Sequence, residues 1–326
     1  MAEYSFPQII QDDIKQFNKM FEPNLLSKTN LLNVVSKYVF GNKGKQLRPA
    51  MTFLSARLFG EVTESTYSAA YMVELLHNAT LIHDDVVDDS ETRRNLLSVK
   101  AKWKNKVAVL AGDYYLAKGL LYAIEKNEIK ALEIMSQGVK RMSEGELMQI
   151  EHAKSLENSE EIYYEIIKAK TAALFVVSMV TGAYSSKKAS EEDVRKIEKI
   201  AELLGLAFQI RDDVLDFSRT SVLGKKSYND LQEKKQTLPL LHALSQVSFV
   251  EREKILFKLE HHNNKQEKLE ELAEFVRVKG GIDYATTKQQ EFCNEAKNLC
   301  ESFQESEART SLCGLIDFIV LSEKYV

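Results

Sequence analysis

The chain has 326 residues, 44% hydrophobic and 28% charged, with 13 glycines, 4 prolines and a net charge of −4. That is the balance of a soluble globule; it excludes collagen-like and linker proteins, and the charge points away from a nucleic-acid surface. Few glycines and prolines also argue against a sandwich or a propeller. Three cysteines, Cys293, Cys300 and Cys313, cannot all pair and lack zinc-ligand spacing, which predicts a reducing, cytoplasmic setting. The first residues lack the charged and apolar regions of a signal peptide. Apolar runs stay far below the ~18 residues that cross a bilayer, so no stable membrane anchor is expected.

In chain order, apolar residues at helical spacing predict helices over 9–21, 31–40 and 48–59. A longer one covers 65–89, where Ala69, Met72, Val73, Leu76, Ala79 and Thr80 set the period. Helices over 107–126, 129–153, 160–184 and 191–218 follow, then 238–246 and three more after Glu251. Breaks fall at Gly41 to Gly44, Gly60, Ser185 to Lys188 and Gly280-Gly281. No proline interrupts a long helix in this reading, and no segment alternates with period two, so a sheet is not expected. Several long helices are apolar on more than one face, which places them at the centre of one bundle. The expectation is an all-α, single-domain fold of about 10–14 helices over residues 1–326.

Chemistry concentrates in two acidic clusters. The first reads Leu81-Ile82-His83-Asp84-Asp85-Val86-Val87-Asp88-Asp89 and the second Phe208-Gln209-Ile210-Arg211-Asp212-Asp213-Val214-Leu215-Asp216. They hold seven of the 14 aspartates, and both spell Asp-Asp-x-x-Asp. Residues four apart share a helix face, which pairs Asp84 with Asp88 and Asp212 with Asp216. A solvated acidic face explains this poorly, because helix C-termini disfavour negative charge. Crowded carboxylates need cations, and hard oxygens without thiolate or imidazole suit Mg²⁺ shared with phosphate. His83 reads as a satisfied core histidine rather than a ligand.

Cations supply the complement. Lys45 and Arg48 stand three apart at a helix start, where backbone N–H groups also favour anions. Arg93-Arg94 follow the first motif, Lys170-Thr171 interrupt an apolar helix, and Gly224-Lys225 and Lys235 to Pro239 follow the second. Together they describe a diphosphate site, and no Walker-type loop assigns it to a nucleotide.

These segments, with Ala111-Gly112-Asp113, Glu144-Gly145-Glu146 and Gln149, resemble in order and spacing the trans-isoprenyl diphosphate synthases of the polyprenyl synthetase family. The resemblance covers nearly the whole chain. It implies an isoprenoid-synthase-type bundle with a central cavity, normally a homodimer, joining isopentenyl diphosphate to an allylic diphosphate. Carried over, Lys45, Arg48, His77 and Arg94 would hold isopentenyl diphosphate. Arg93, Lys170, Lys225 and Lys235 would hold the allylic diphosphate, with Thr171 and Gln209 near the developing cation. Asp84 and Asp88 would bind two Mg²⁺ ions and Asp212 a third. Asp85, Asp213 and Asp216 would be secondary ligands, or would hold metal-bound water and basic side chains. Lys43, Asn95, Tyr228 and Lys234 depart from glycines common in the family, and Lys234 leaves open which neighbouring ammonium reaches phosphate.

Product length is read from the face upstream of the first motif, at Met72, Leu75, Leu76, Ala79 and Thr80. Small residues at 79 and 80 leave the path open, which favours a bacterial octaprenyl- or heptaprenyl-type long-chain synthase. The floor is then expected on the 107–126 or 129–153 helix. A geranylgeranyl or farnesyl synthase is the shorter-chain alternative. A class I terpene cyclase would lack the Lys45/Arg48 site, and a non-catalytic subunit of a heteromeric synthase would have broken motifs.

Overall fold

The computed structural model describes residues 6–41, 44–94, 96–152, 159–217, 228–262 and 265–321. Two amphipathic helices, α1 (Gln8–Leu25) and α2 (Asn30–Gly41), open the chain, followed by α3 (Leu47–Phe59), which is buried along most of its length. The long α4 (Glu64–Val87) leads into a two-strand hairpin, β1 (Thr92–Arg93) and β2 (Leu96–Leu97). Then come α5 (Val99–Glu125), α6 (Ile129–His152) and α7 (Glu160–Ile167), which passes through a π turn at Lys168–Ala172 into α8 (Ala173–Ser185). After α9 (Glu191–Asp216) follow α10 (Asn229–Gln232), α11 (Leu238–Ser245), α12 (Phe249–Glu260), α13 (Gln266–Val278), α14 (Gly281–Glu301) and α15 (Glu307–Leu321).

The fold is all-α, and the centre is α8. Its sequence is apolar or small all round, and eleven of its thirteen residues are buried, against α3, α4, α6 and α9. Helix α4 packs on α5 and α8, while α14 lies along α9. A second cluster of buried apolar residues, including Phe217, Leu240, Leu256, Leu272 and Val276, ties α10 to α13 beneath the end of α9. Helix starts are set by side-chain caps: Thr63 with Thr66 before α4, and Ser190 with Asp193 before α9, each form a capping box.

Four expectations need correction. Fifteen α-helical segments are present among the described residues, because the π turn divides 160–184, α10 is added, and the stretch after residue 248 forms four helices. Helix α5 starts at Val99 under the Ser98 cap, with a non-helical break at Lys104; its lysine-rich first turns carry no apolar period to read. Pro23 lies inside the last turn of α1, where the missing N–H costs one bond near a fraying end. The short hairpin pairs Thr92 with Leu97 and Arg93 with Leu96, too briefly to show period-two alternation.

Candidate active site

The first acidic cluster forms where α4 ends. Asp88 leaves helical geometry while its N–H still bonds the Asp84 carbonyl at 2.8 Å, and Asp89 turns to φ 53°. Burial pushes the Asp84 carboxyl up to about 6; Lys170 opposes this, and Glu146 and Asp88 add to it. Asp85 is buried and accepts from Arg93 Nε at 2.8 Å and Nη2 at 2.7 Å. Lys100 reaches round to Asp89 at 2.5 Å.

The second cluster ends α9 and is braced on more sides. Asp213 accepts from Tyr163 Oη at 2.6 Å and Gln209 Nε2 at 2.8 Å, and burial raises its pKa. Gln209 Oε1 in turn accepts from Thr171 Oγ1 at 2.7 Å. Asp216 accepts the Asp230 N–H at 3.0 Å, and Arg211 Nη1 donates to the Ile319 carbonyl at 2.7 Å. Lys235 pairs with Glu233. Burial works against its charge, but Glu233, Asp230 and, across the cleft, Asp88 outweigh that and raise its pKa. Lys234 points away, to Glu260 of α12 at 3.3 Å, so Lys235 is the ammonium that faces the acids.

Lys170 sits in the π turn, a distortion common at functional sites. There it pairs with Glu146 at 2.5 Å and donates to Gln149 at 3.4 Å. Gly145 allows this approach: a Cβ there would come within 2.8 Å of Ala169 Cβ and 2.9 Å of the Lys170 nitrogen.

A cationic nest adjoins the first cluster. Burial, offset in part by Glu74, takes the Arg48 guanidinium down to about 10, and Arg94 lowers it further. His77 is buried; desolvation, with Arg48, Arg94 and Arg93 nearby, holds it neutral. Gly44 sits under Arg94, where a Cβ would be 2.9 Å from Cζ. Lys45 Nζ lies 5.5 Å from the centre of the Phe318 ring. Cations gathered at such cost around one neutral imidazole fit an anionic ligand.

Residues 29–276 match the polyprenyl synthetase family. The chain belongs to that family. Its members are prenyltransferases, and this chain is one. It is 32% identical to an octaprenyl diphosphate synthase of Haemophilus influenzae over 94% of this chain and 93% of the relative. It is 33% identical to component 2 of a heptaprenyl diphosphate synthase of Bacillus subtilis, over 97% and 89%. A crystal structure of a Caulobacter crescentus polyprenyl synthase complexed with calcium and isoprenyl diphosphate superposes with a TM-score of 0.88 at 31% identity, covering 96% and 95%.

Within this polyprenyl synthetase frame, the two acidic motifs lie at separate helix ends, those of α4 and α9. Among the described residues no three carboxylate, histidine or cysteine side chains form a metal cage by themselves. The donor set nonetheless fits Mg²⁺: the acids are hard oxygens, and Asp84 is desolvated without a full ion-pair partner, as suits a cation completed by phosphate oxygens and water. Lys225 and Gly224 lie outside the described residues, as do Lys43 and Asn95. Tyr228 and Lys234, read above as departures from glycine, have φ of 49° and 59°, in the left-handed region that favours glycine.

Beneath the acids, Leu75 and Ala79 are buried in the main core with Ala111 and Tyr115, while Met72 and Leu76 pack with Ala123 and Met135. Thr80 is half-buried and bonds the His77 carbonyl at 2.9 Å. His83 stacks over the α5 backbone, 3.3 Å from both Val109 O and Asp113 Oδ1, so it is satisfied though not deep. Sequence reasoning assigned no role to Glu74, Tyr163 or Asp230. Asp230 is half-buried beside Asp213 and Asp216, and desolvation holds it well above the usual carboxylate range. Its signal was available as the acid between Gly224-Lys225 and Lys235; Tyr163, on an ordinary amphipathic helix, gave none.

Proposed function

We propose that this chain condenses isopentenyl diphosphate with an allylic diphosphate by 1′–4 head-to-tail addition, releasing diphosphate and building a long all-trans polyprenyl diphosphate. One observation carries the reading: on one short hairpin, Arg93 binds Asp85 of the metal-type motif while its neighbour Arg94 lies against Gly44 in the cationic nest. Two anion sites therefore share a wall, as joining two diphosphates requires. Lys45, Arg48, His77 and Arg94 hold isopentenyl diphosphate. Arg93, Lys170 and Lys235, with Lys225, hold the allylic diphosphate. Asp84 and Asp88 take two Mg²⁺ ions and Asp212 a third. Bound Mg²⁺ supplies Lewis-acid neutralisation of charge on the departing diphosphate.

The side chains do the rest. Lys170 and Arg93 stabilise the leaving group as the allylic C–O bond breaks with its electron pair. Thr171 and Gln209 place oxygens near the carbocation. Arg48 and Arg94 hold the second substrate so that its alkene pair forms the new C–C bond. The proton lost from C2 passes to the released diphosphate, so no side-chain base is required.

The small residues Ala79 and Thr80 support a product of roughly C35–C45 running along one face of α4. Met135, packed under Met72 and Leu76, is the floor on α6. Exposed Leu110, Leu121, Ile124, Leu147 and Ile150 on α5 and α6 support a homodimer covering that face. Although α5 is long and apolar enough to cross a membrane, a second copy accounts for its apolar side chains. Packing of α1 and α15 on α3 supports one catalytic domain over 1–326, and free cysteines support a cytoplasmic setting.

Product analysis tests the reading: purified protein with Mg²⁺, labelled isopentenyl diphosphate and farnesyl diphosphate, and products separated by length after dephosphorylation. C35 or longer is expected. A stop at C20 would move the floor up to Met72, Leu75 or Leu76, and no incorporation would overturn the reading in favour of a cyclase or a silent subunit. In the same assay Ala79→Phe should truncate the products; an unchanged distribution would remove Ala79 from the path.

A further inference from the structure

The hydrogen-bond chain behind the second motif has a direction. Gln209 Nε2 can only donate, and it donates to Asp213 Oδ1 at 2.8 Å. That fixes the amide: its Oε1 must face Thr171, which donates at 2.7 Å. With its only hydrogen committed, Thr171 keeps its oxygen lone pairs for whatever lies on its open side. The other Asp213 oxygen is occupied by Tyr163 Oη at 2.6 Å. Both carboxylate oxygens are thus held from within the protein, one from α7 and one from α9.

Burial sets the roles apart. Tyr163 and Asp213 are buried at 7% and 3% exposure, whereas Thr171 and Gln209 are half-buried. The inner pair cannot reach a substrate lying in the cleft, and the outer pair can. Lys170, the neighbour of Thr171 in the π turn, pairs with Glu146 and stabilises the charge of Asp84, so the π turn that carries Thr171 adjoins the first acidic cluster. Bonds in such a chain polarise one another in a low-dielectric interior. A carboxylate at the inner end makes the amide oxygen a stronger acceptor and the threonine oxygen more electron-rich.

We infer that Asp213 and Tyr163 are positioning residues that orient the Thr171–Gln209 pair toward the developing allylic cation, and that Asp213 serves this chain rather than a metal ion. The inference rests on the prenyltransfer reading above. It assigns a purpose to a tyrosine that touches no substrate and to the middle acid of the second motif.

The test is a double-mutant cycle of Tyr163→Phe and Thr171→Val, with kcat, KM for isopentenyl diphosphate and Mg²⁺ half-saturation measured for each variant alongside its thermal melting. Tyr163→Phe should lower kcat roughly 5- to 20-fold in the wild-type background and less than about twofold in the Thr171→Val background. KM and the Mg²⁺ requirement should stay within about twofold, and Thr171→Ser should retain most of the activity. Losses that multiply would overturn the inference, because a structural tyrosine acts independently of Thr171. A loss expressed as a raised Mg²⁺ requirement would overturn it too, returning Asp213 to the metal. If Tyr163→Phe melts too low to assay, Asp213→Asn replaces it in the cycle: the isosteric amide turns its NH₂ to Gln209 and reverses the chain, and the same non-additivity is expected. A wild-type protein that forms no prenyl product would overturn the parent reading and this inference together. Normal prenyl transfer with additive variants would overturn this inference alone.

Discussion

The two acidic motifs share one spelling and differ in how they are held. At the end of α4, Asp88 and Asp89 are exposed, Asp84 is half-buried, and Asp85 bonds one side chain among the described residues, Arg93. At the end of α9, Asp213 and Asp216 are buried, bonded to Tyr163, Gln209 and the Asp230 backbone, and Arg211 is anchored to α15. One motif can adjust to its ligands; the other is built in advance. The shared Asp-Asp-x-x-Asp pattern therefore specifies the chemistry of a carboxylate cluster but not its rigidity, which comes from distant elements.

The largest effect expected on this contrast is at Asp84. Asp84→Asn should lower kcat by roughly 10³-fold in the labelled-substrate assay, the scale of removing a principal electrostatic contact in a transition state. A second prediction concerns the metal-free protein. Because burial raises Asp84 from 3.8 to about 6, the native state holds a proton that the unfolded chain releases. The stability from that group is complete below about 4 and is lost as pH rises through 6. Metal-free wild type should therefore melt at a lower temperature at pH 7 than the Asp84→Asn variant, by roughly 2 °C or more. A melting difference that does not grow between pH 4.5 and pH 7 would show that Asp84 is not under this strain.

Asp85→Asn sharpens the comparison at intermediate size. It keeps one acceptor for Arg93 but removes the charge, and should cost about tenfold in kcat/KM for the allylic substrate, measured by varying farnesyl diphosphate. The smallest effect belongs to the loop behind the rigid motif. Lys234→Gly relieves a left-handed backbone at φ 59° and should stabilise by a few tenths to about 1 kcal/mol in urea unfolding. Activity should change little, since Lys234 faces Glu260 and not the acids.

Much of this was legible in the chain. The apolar period located the long helices, and two motifs of unusual acid density located the ends of α4 and α9. What stayed hidden had no local signature. The π turn at Lys168–Ala172 is packed closely by α6 at Gly145, a contact between residues far apart in sequence. Tyr163 meets Asp213 fifty residues away, and the α5 start depends on one serine cap ahead of a polar stretch. Even the different orientations of Lys234 and Lys235 depend on a partner on α12, where Glu260 pairs with Lys234.

Helix α4 has one more consequence. It carries Asp84 at its end, His77 and Glu74 two to three turns back, and the lane residues Ala79 to Met72 along its buried face. A helix is stiff and advances about 5.4 Å per turn, close to the reach of one extended isoprene unit. On the proposed reading such a helix would serve as a ruler, graduated in turns from the point of bond formation. The enzyme then needs no receptor for the far end of its product. Growth would then stop when the tail meets a side chain at a given graduation, and moving a bulky residue by one turn of α4 should change the product by one unit.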